Sequence, residues 1–333
     1  MRSLKTLIAL FLVFALSACN TPAPSTASST ADVGPVLREI TVVLDWTPNT
    51  NHTGLYVAQD LGFYEEAGLK VNLVQPPESG ALALLAANQA HFAISFQEEI
   101  ASAISSSSPL PVLAVASIIE HNLSGLITLK EKNVTSPKDL EGLRYASWDT
   151  PLEHAIIDSL IEADGGDPTQ LNYVPNTVLD VISALQTDTD AVWIFYAWDG
   201  IAAEVNELEF NYMEFREYND VFDFYTPVIA TSERVLEQDS EVLTAFLNAT
   251  KQGYEYAMQN PREAAAILLK AAPELNEDVV IASQIFLAEH YSETEDWGQI
   301  DADRWNNFYN WLFEQGLTSE NLSGKGFSNE GWK

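Results

Sequence analysis

The segment Leu44-Asp45-Trp46-Thr47-Pro48-Asn49-Thr50-Asn51-His52-Thr53-Gly54-Leu55-Tyr56-Val57-Ala58 joins a strand to a helix through a polar loop. Ile40 to Leu44, just before the loop, is an apolar and β-branched run that reads as a buried strand. Leu55 to Leu61 has helical character and stops at Gly62. Val71 to Val74 is the next strand, and Ser79 to Asn88 an Ala/Leu-rich helix. His91 to Ser95, Glu98 to Ser105 and Val112 to Ile119 continue as strand, helix and strand. This β-α-β-α alternation predicts an α/β fold, a sheet with helices on its faces.

A second set opens at Ser136-Pro137-Lys138-Asp139, a helix start with proline in the first turn. Strands are expected at Leu143–Ser147, Leu171–Val174, Ala191–Phe195 and Phe210–Phe215, with helices at Pro151–Ala163 and Val178–Gln186. Val228 to Thr231 is one more strand. After it come only helices: Ser240–Asn260, Pro261–Ala271, Asn276–Tyr291 and Asp301–Gln315. Trp305, Phe308, Tyr309 and Leu312 recur at helical spacing, as a core stripe does. Two α/β sets and a helical tail imply two lobes, with the chain returning to the first.

The chain has 333 residues, 48 acidic against 16 basic, and a net charge of −32. Such acidity leaves no basic footprint for nucleic acid and no attraction to anionic lipid. With Cys19 as the single cysteine, an intramolecular disulfide, a thiolate zinc site and an iron–sulfur cluster are all excluded. The five histidines have no metal-ligand spacing. Phosphate-loop, nucleophile-elbow, H-E-x-x-H and C-x-x-C motifs are absent. No cofactor or metal is expected, and the pattern is that of a protein that binds without reacting.

Arg2 and Lys5 precede an apolar run from Leu7 to Leu16, too short to span a bilayer as a mature helix. Leu16-Ser17-Ala18-Cys19 resembles the bacterial lipoprotein box. The resemblance implies a signal peptide over 1–18 and lipidation of Cys19. The Ser/Thr/Ala/Pro-rich stretch after the cysteine reads as a flexible tether, so 19–37 is anchor and linker. The body would then be exported and held on the cell membrane, facing the periplasm or the cell exterior.

Ligands of open α/β sheets bind beyond the carboxyl ends of strands. The loops there carry Asp45, Trp46, Asn49, Asn51 and His52; Phe96, Gln97, Glu98 and Glu99; and Glu120, His121 and Asn122. Others carry Trp148, Asp149, Thr150 and Glu153; Tyr196, Trp198 and Asp199; and Phe224, Tyr225 and Thr226. Aromatics, carboxylates and amides recur, and Lys and Arg are absent from all of them. That composition suits a flat, neutral or weakly cationic heteroaromatic, stacked between rings and hydrogen-bonded by carboxylates or amides. It suits sulfonate or phosphate poorly. Several residues have simpler roles open to them. Glu153 fits a capping box with Thr150, and Glu98 and Glu99 are favoured by the helix dipole alone. Trp46 fits a core, and His52 and His121 fit structural positions.

The segment Leu44 to Ala58, with Leu61-Gly62-Phe63-Tyr64-Glu65-Glu66-Ala67-Gly68-Leu69, resembles a superfamily of two branches. One is the solute-binding proteins of ABC importers, the other the thiamine pyrimidine synthases. The resemblance runs from about Ile40 to the C-terminus and includes Tyr225-Thr226-Pro227-Val228-Ile229. It implies a two-lobed type II periplasmic-binding-protein fold with the ligand cleft between the lobes. Lobe one would hold 38–130 and 228–333, lobe two 131–227, with hinges near 128–131 and 226–229. The implied function is import of a thiamine-precursor pyrimidine, formylaminopyrimidine or hydroxymethylpyrimidine, by a monomer that docks on an ABC permease. By position, Trp46 matches the first-lobe stacking ring. Phe195, Tyr196 and Asp199 lie on the loop that supplies the second-lobe ring and carboxylate, with Tyr196 and Trp198 both open as that ring. His52, Gln97, Glu98, Trp148 and Tyr225 complete the expected ligand set. The synthase branch needs a lysine for pyridoxal phosphate and a histidine, where this chain has Ser95 and Glu99. It also needs a cysteine-rich motif where this chain has Phe222-Asp223-Phe224-Tyr225. A binder of another solute, such as a sulfonate or a flavin-like ring, is the other alternative.

Overall fold

The structure is a computed structural model that describes residues 36–78, 80–176, 178, 180–294 and 296–332. The expected signal peptide, Cys19 and the tether through Pro35 lie outside the described residues, as does Ser79. Among the described residues, no helix is long and apolar enough to cross a membrane.

The first half runs β1 (Arg38–Val43), α1 (Thr53–Asp60), α2 (Phe63–Glu66), β2 (Leu69–Val74), α3 (Ala81–Ala86), β3 (Phe92–Ser95), α4 (Gln97–Ser105) and β4 (Val112–Ser117). Gly62 separates α1 from α2 in a left-handed conformation, φ 81°, which glycine adopts without steric cost. The chain then forms β5 (Ser124–Leu129), β6 (Arg144–Ser147), α5 (Pro151–Ala163), β7 (Asn172–Pro175), α6 (Val181–Thr187), β8 (Ala191–Phe195), α7 (Ile201–Val205) and β9 (Phe210–Glu214). It returns through β10 (Val228–Ser232) to α8 (Glu233–Gln238), α9 (Ser240–Gln259), α10 (Pro261–Ala271), α11 (Glu277–Ala288) and α12 (Ala302–Glu314).

Two five-stranded sheets result, in the orders β2-β1-β3-β10-β4 and β7-β6-β8-β5-β9. Each has a parallel trio, with one strand threaded antiparallel next to it. In the first sheet β10 lies antiparallel between β3 and β4, with Val228 opposite Ser95 and Ser117. In the second, β5 lies antiparallel between β8 and β9, with Gly125 opposite Ile194 and Glu214. The chain therefore crosses between sheets twice, over 118–123 and 223–227. The sequence places 124–129 in lobe one and a hinge at 128–131. The pairing of β5 moves that crossing toward the N-terminus. Gly125 shows why the strand is hard to read: a Cβ there would sit 2.2 Å from the Met213 carbonyl oxygen, so the close approach of β9 needs glycine. Glycine weakens a strand pattern.

The two crossings are tied by Asp223. Its carboxylate accepts from the Asn122 backbone N–H at 2.9 Å and from His121 Nδ1 at 2.7 Å. Asn122 Nδ2 donates to the Phe222 carbonyl at 2.7 Å. Burial would raise the Asp223 carboxyl, but the bond from His121, the Asn122 amide and the charge of Arg304 hold it below its ordinary value.

The largest apolar cluster draws Val43, Ala93 and Val228 from the first sheet and Leu126, Tyr145 and Trp193 from the second. The α12 stripe of Trp305, Phe308, Tyr309 and Leu312 is buried within it. The helix start read at Ser136 has a capping box with Asp139, but the element it opens is a single 3-10 turn, Pro137–Leu140.

Helix α1 is pressed onto α9. A Cβ on Gly253 would lie 2.0 Å from the Gly54 carbonyl oxygen, and one on Gly54 would lie 2.3 Å from the Tyr254 ring. Gly253→Ala must push α1 off α9. The expected cost is on the order of 1–3 kcal/mol, measured as a lower urea midpoint with an unchanged denaturant slope.

Candidate functional site

The loop after β1 is held from within. Asn49 Oδ1 accepts from Asn51 N–H at 2.9 Å, and His52 Nδ1 accepts from Asn49 N–H at 3.2 Å. Because Nδ1 accepts, Nε2 carries the proton and donates to Asp45 Oδ1 at 2.6 Å. His52 is fully buried and orients Asp45. The sequence marks it as a ligand contact, but both ring nitrogens are used inside the protein. The tail helices pin the same loop. Thr50 Oγ1 donates to Ser283 Oγ at 2.5 Å, and Ser283 donates to the Ala197 carbonyl beyond β8. Tyr291 and Tyr254 donate to the Thr50 and Asn51 carbonyls at 2.5 and 2.6 Å. On this rigid loop the Trp46 side chain is 56% exposed, although exposure of an indole costs apolar burial.

Beyond β3, Phe96 faces Phe195 of the other sheet at 6.2 Å, nearly parallel. Gln97 is fully buried and spans two elements, donating to the Trp305 carbonyl and accepting from Tyr225 N–H, both at 2.9 Å. Tyr225 is buried too. Its hydroxyl accepts from Asp301 N–H at 2.8 Å, and Arg304 lies 4.9 Å above its ring. These two, expected as ligand contacts, weld α4, α12 and the second crossing together.

Glu98 and Glu99 differ. Glu99 accepts from Ser95 Oγ at 2.8 Å, and burial raises it, against that bond and with help from the Asp45 charge. Glu98 has one carboxyl oxygen buried without a partner. Burial pushes its pKa up to about 8, against its own backbone N–H.

On the second sheet, the sequence pattern pairs Glu153 with Thr150 in a capping box. Thr150 does cap α5, accepting from Glu153 N–H at 3.2 Å. The Glu153 side chain goes elsewhere. It is buried and accepts from Tyr145 hydroxyl at 2.6 Å, Ser147 hydroxyl at 2.8 Å and Trp148 N–H at 3.1 Å. It thus fixes Trp148, which is 46% exposed and whose ring leans on Trp193 at 5.5 Å. Trp193 Nε1 is buried without a partner.

The end of β8 winds into a π-turn, Tyr196–Gly200. Asp199 accepts from Phe195 N–H at 3.3 Å, and burial raises its carboxyl to about 6, against that bond. Tyr196 is packed between Tyr212 and Phe286, at 4.8 and 5.4 Å, and its hydroxyl donates to Glu204. Trp198 packs on the cluster of Ala265, Leu268 and Val280. Both expected candidates for the second ring are thus seated on neighbouring elements, Tyr196 partly and Trp198 directly on the tail helices. The more open ring on the second sheet is Trp148. The reach of α11 into this region, through Ser283 and Phe286, has no local sequence signal.

The residues matched by the NMT1/THI5-like family model are 49–264. The chain belongs to that family. A formylaminopyrimidine-binding protein of Halalkalibacterium halodurans is 30% identical, over 94% of this chain and 94% of the relative. A 4-amino-5-hydroxymethyl-2-methylpyrimidine phosphate synthase of Legionella pneumophila is 27% identical, over 71% of this chain and 74% of the relative. The alkanesulfonate-binding protein SsuA of Xanthomonas axonopodis pv. citri, solved with MOPS bound, superposes with a TM-score of 0.66. It covers 87% of this chain and 98% of its own at 12% identity. This family member therefore has the periplasmic-binding-protein fold, α/β with two mixed sheets. Among the described residues no group of three or more His, Cys, Asp or Glu is placed to hold a metal.

The folded family member keeps a proton on Asp199 up to about pH 6, whereas an unfolded aspartate releases it near 3.8. The unfolded state thus binds fewer protons in this window, and Asp199 makes stability fall as pH rises from about 3.8 to 6. Asp199→Asn should remove that part of the slope in urea titrations of ligand-free protein.

Proposed function

We propose that this protein is the receptor of an ABC importer for a thiamine-precursor aminopyrimidine and that it performs no covalent chemistry. The observation that carries the reading is the chemistry of the strand ends. Trp46 and Trp148 are exposed there, Asp45, Glu98, Glu99 and Asp199 bring carboxyls, and the surrounding loops contain no Lys or Arg. Rings stack a flat heterocycle and carboxyls take its N–H groups. A sulfonate would meet the carboxylates of these loops, whose own sequences supply no Lys or Arg to pair with it. The family relative named for formylaminopyrimidine supports the ligand class.

Two lobes, one on each sheet, would close on the ligand by bending at the crossings 118–123 and 223–227, and the closed form would dock on a permease. A lipid on Cys19 would keep the receptor at the membrane. The synthase reading fits less well. At the positions where that branch needs lysine and histidine, this chain has Ser95 and Glu99, and these two bond to each other. A serine has no amine with which to hold an aldehyde cofactor.

Titration calorimetry with formylaminopyrimidine and hydroxymethylpyrimidine tests the reading. Trp46→Ala should weaken binding by roughly 1–3 kcal/mol, the worth of a stacked, buried ring. Unchanged affinity would remove Trp46 from the site. Binding of taurine but of no pyrimidine would overturn the ligand class.

A further inference from the structure

We propose that Glu98 is the specificity-determining residue of this cleft, reading the amidine edge of an aminopyrimidine as a neutral carboxylic acid. The inference rests on the receptor reading above. An aminopyrimidine whose amino group stands beside a ring nitrogen presents one acceptor and one donor side by side. A protonated carboxyl presents the complement, an O–H donor and a C=O acceptor, and the pair closes with two hydrogen bonds. A carboxylate offers acceptors only and would face the lone pair of the ring nitrogen.

Three observations converge on Glu98. Its position is rigid. It stands in the first turn of α4, between Phe96, which faces Phe195, and Gln97, which is bonded to Tyr225 and Trp305. One of its carboxyl oxygens is buried and makes no hydrogen bond. A buried acceptor without a partner is costly, and a ligand donor would offset that cost. No cation faces it. The titratable groups near it are Glu99 on its own helix and Tyr309 on α12. Burial penalises a charge on Glu98 most, its own backbone N–H opposes that, and Glu99 repels the charge further. The α4 dipole favours ionisation, but only weakly. The carboxyl accordingly keeps its proton up to about pH 8. Glu99, by contrast, has its Ser95 bond and lies beside Asp45.

The test is calorimetry with formylaminopyrimidine at pH 6.5 and pH 9. Parent affinity should fall about tenfold across that range, as the Glu98 proton is lost near pH 8. Glutamine has the same donor and acceptor as the protonated acid and does not titrate. Glu98→Gln should therefore lose the pH dependence and at pH 9 bind about tenfold tighter than the parent. Glu98→Ala should bind at least about tenfold weaker at pH 6.5. A pyrimidine lacking the amino group should bind the parent weakly and gain nothing from glutamine. Melting curves establish that each variant folds. A parent flat in pH, or a Glu98→Gln variant as weak as Glu98→Ala, overturns the inference and leaves the receptor reading standing. A parent that binds no pyrimidine overturns both.

Discussion

Everything at the strand ends depends on two strands being exchanged between the sheets. β5 leaves the first half to pair in the second sheet, and β10 returns from the second half to pair in the first. Two chain crossings must therefore run side by side, and Asp223 bonds them together through Asn122 and His121. The arrangement supplies a two-stranded link with a hydrogen-bonded clasp across it. Arg304, 3.6 Å from the same carboxylate, connects the clasp to α12. The helical tail is thus coupled to the link as well as to the first sheet.

The residues at the strand ends fall into two layers. Trp46, Trp148, Glu98 and Asp199 hold groups not fully used by the protein. Behind them, His52 holds Asp45, Glu153 holds the Trp148 backbone, and Gln97 holds the start of α4. The second layer is buried and its polar atoms are paired, which is what rigidity requires of buried polar groups. An exposed indole can serve a ligand only if its backbone does not move to bury it. Three elements restrain the loop that carries Trp46: its own asparagine and histidine, α9 through Tyr254, and α11 through Ser283.

Most elements were legible because their signals are local. Pro151–Ala163 and Pro261–Ala271 begin with proline at the first helical position and have the bounds read from sequence. Ala191–Phe195 is an apolar run that begins after Asp190 and matches as well. β5 was not legible. Its Gly125 and flanking serine mask a strand that exists because β8 and β9 pair with it. The residue types of the cleft were also legible, since they derive from the loops at strand ends. Their individual duties were not. His52, Gln97 and Tyr225 look like ligand contacts in sequence, yet their side chains are buried, and Glu153 looks like a cap while it anchors Trp148.

The sequence by itself determined the α/β class, the two α/β sets with a helical tail, and the aromatic and acidic chemistry of the strand ends. Those come from hydrophobic period, turn residues and composition, each read within a few residues of chain. Only the tertiary structure decided which aromatic is open and which is packed, and which carboxyl is paired and which is not. Tyr196 is taken up by Tyr212 and Phe286, and Trp198 by the tail helices, whereas Trp148 is left open. Glu99 finds Ser95, whereas a Glu98 oxygen finds nothing. The reason is physical. Burial and hydrogen bonding at one residue are set by groups far away in the chain, and no local pattern encodes where those groups arrive.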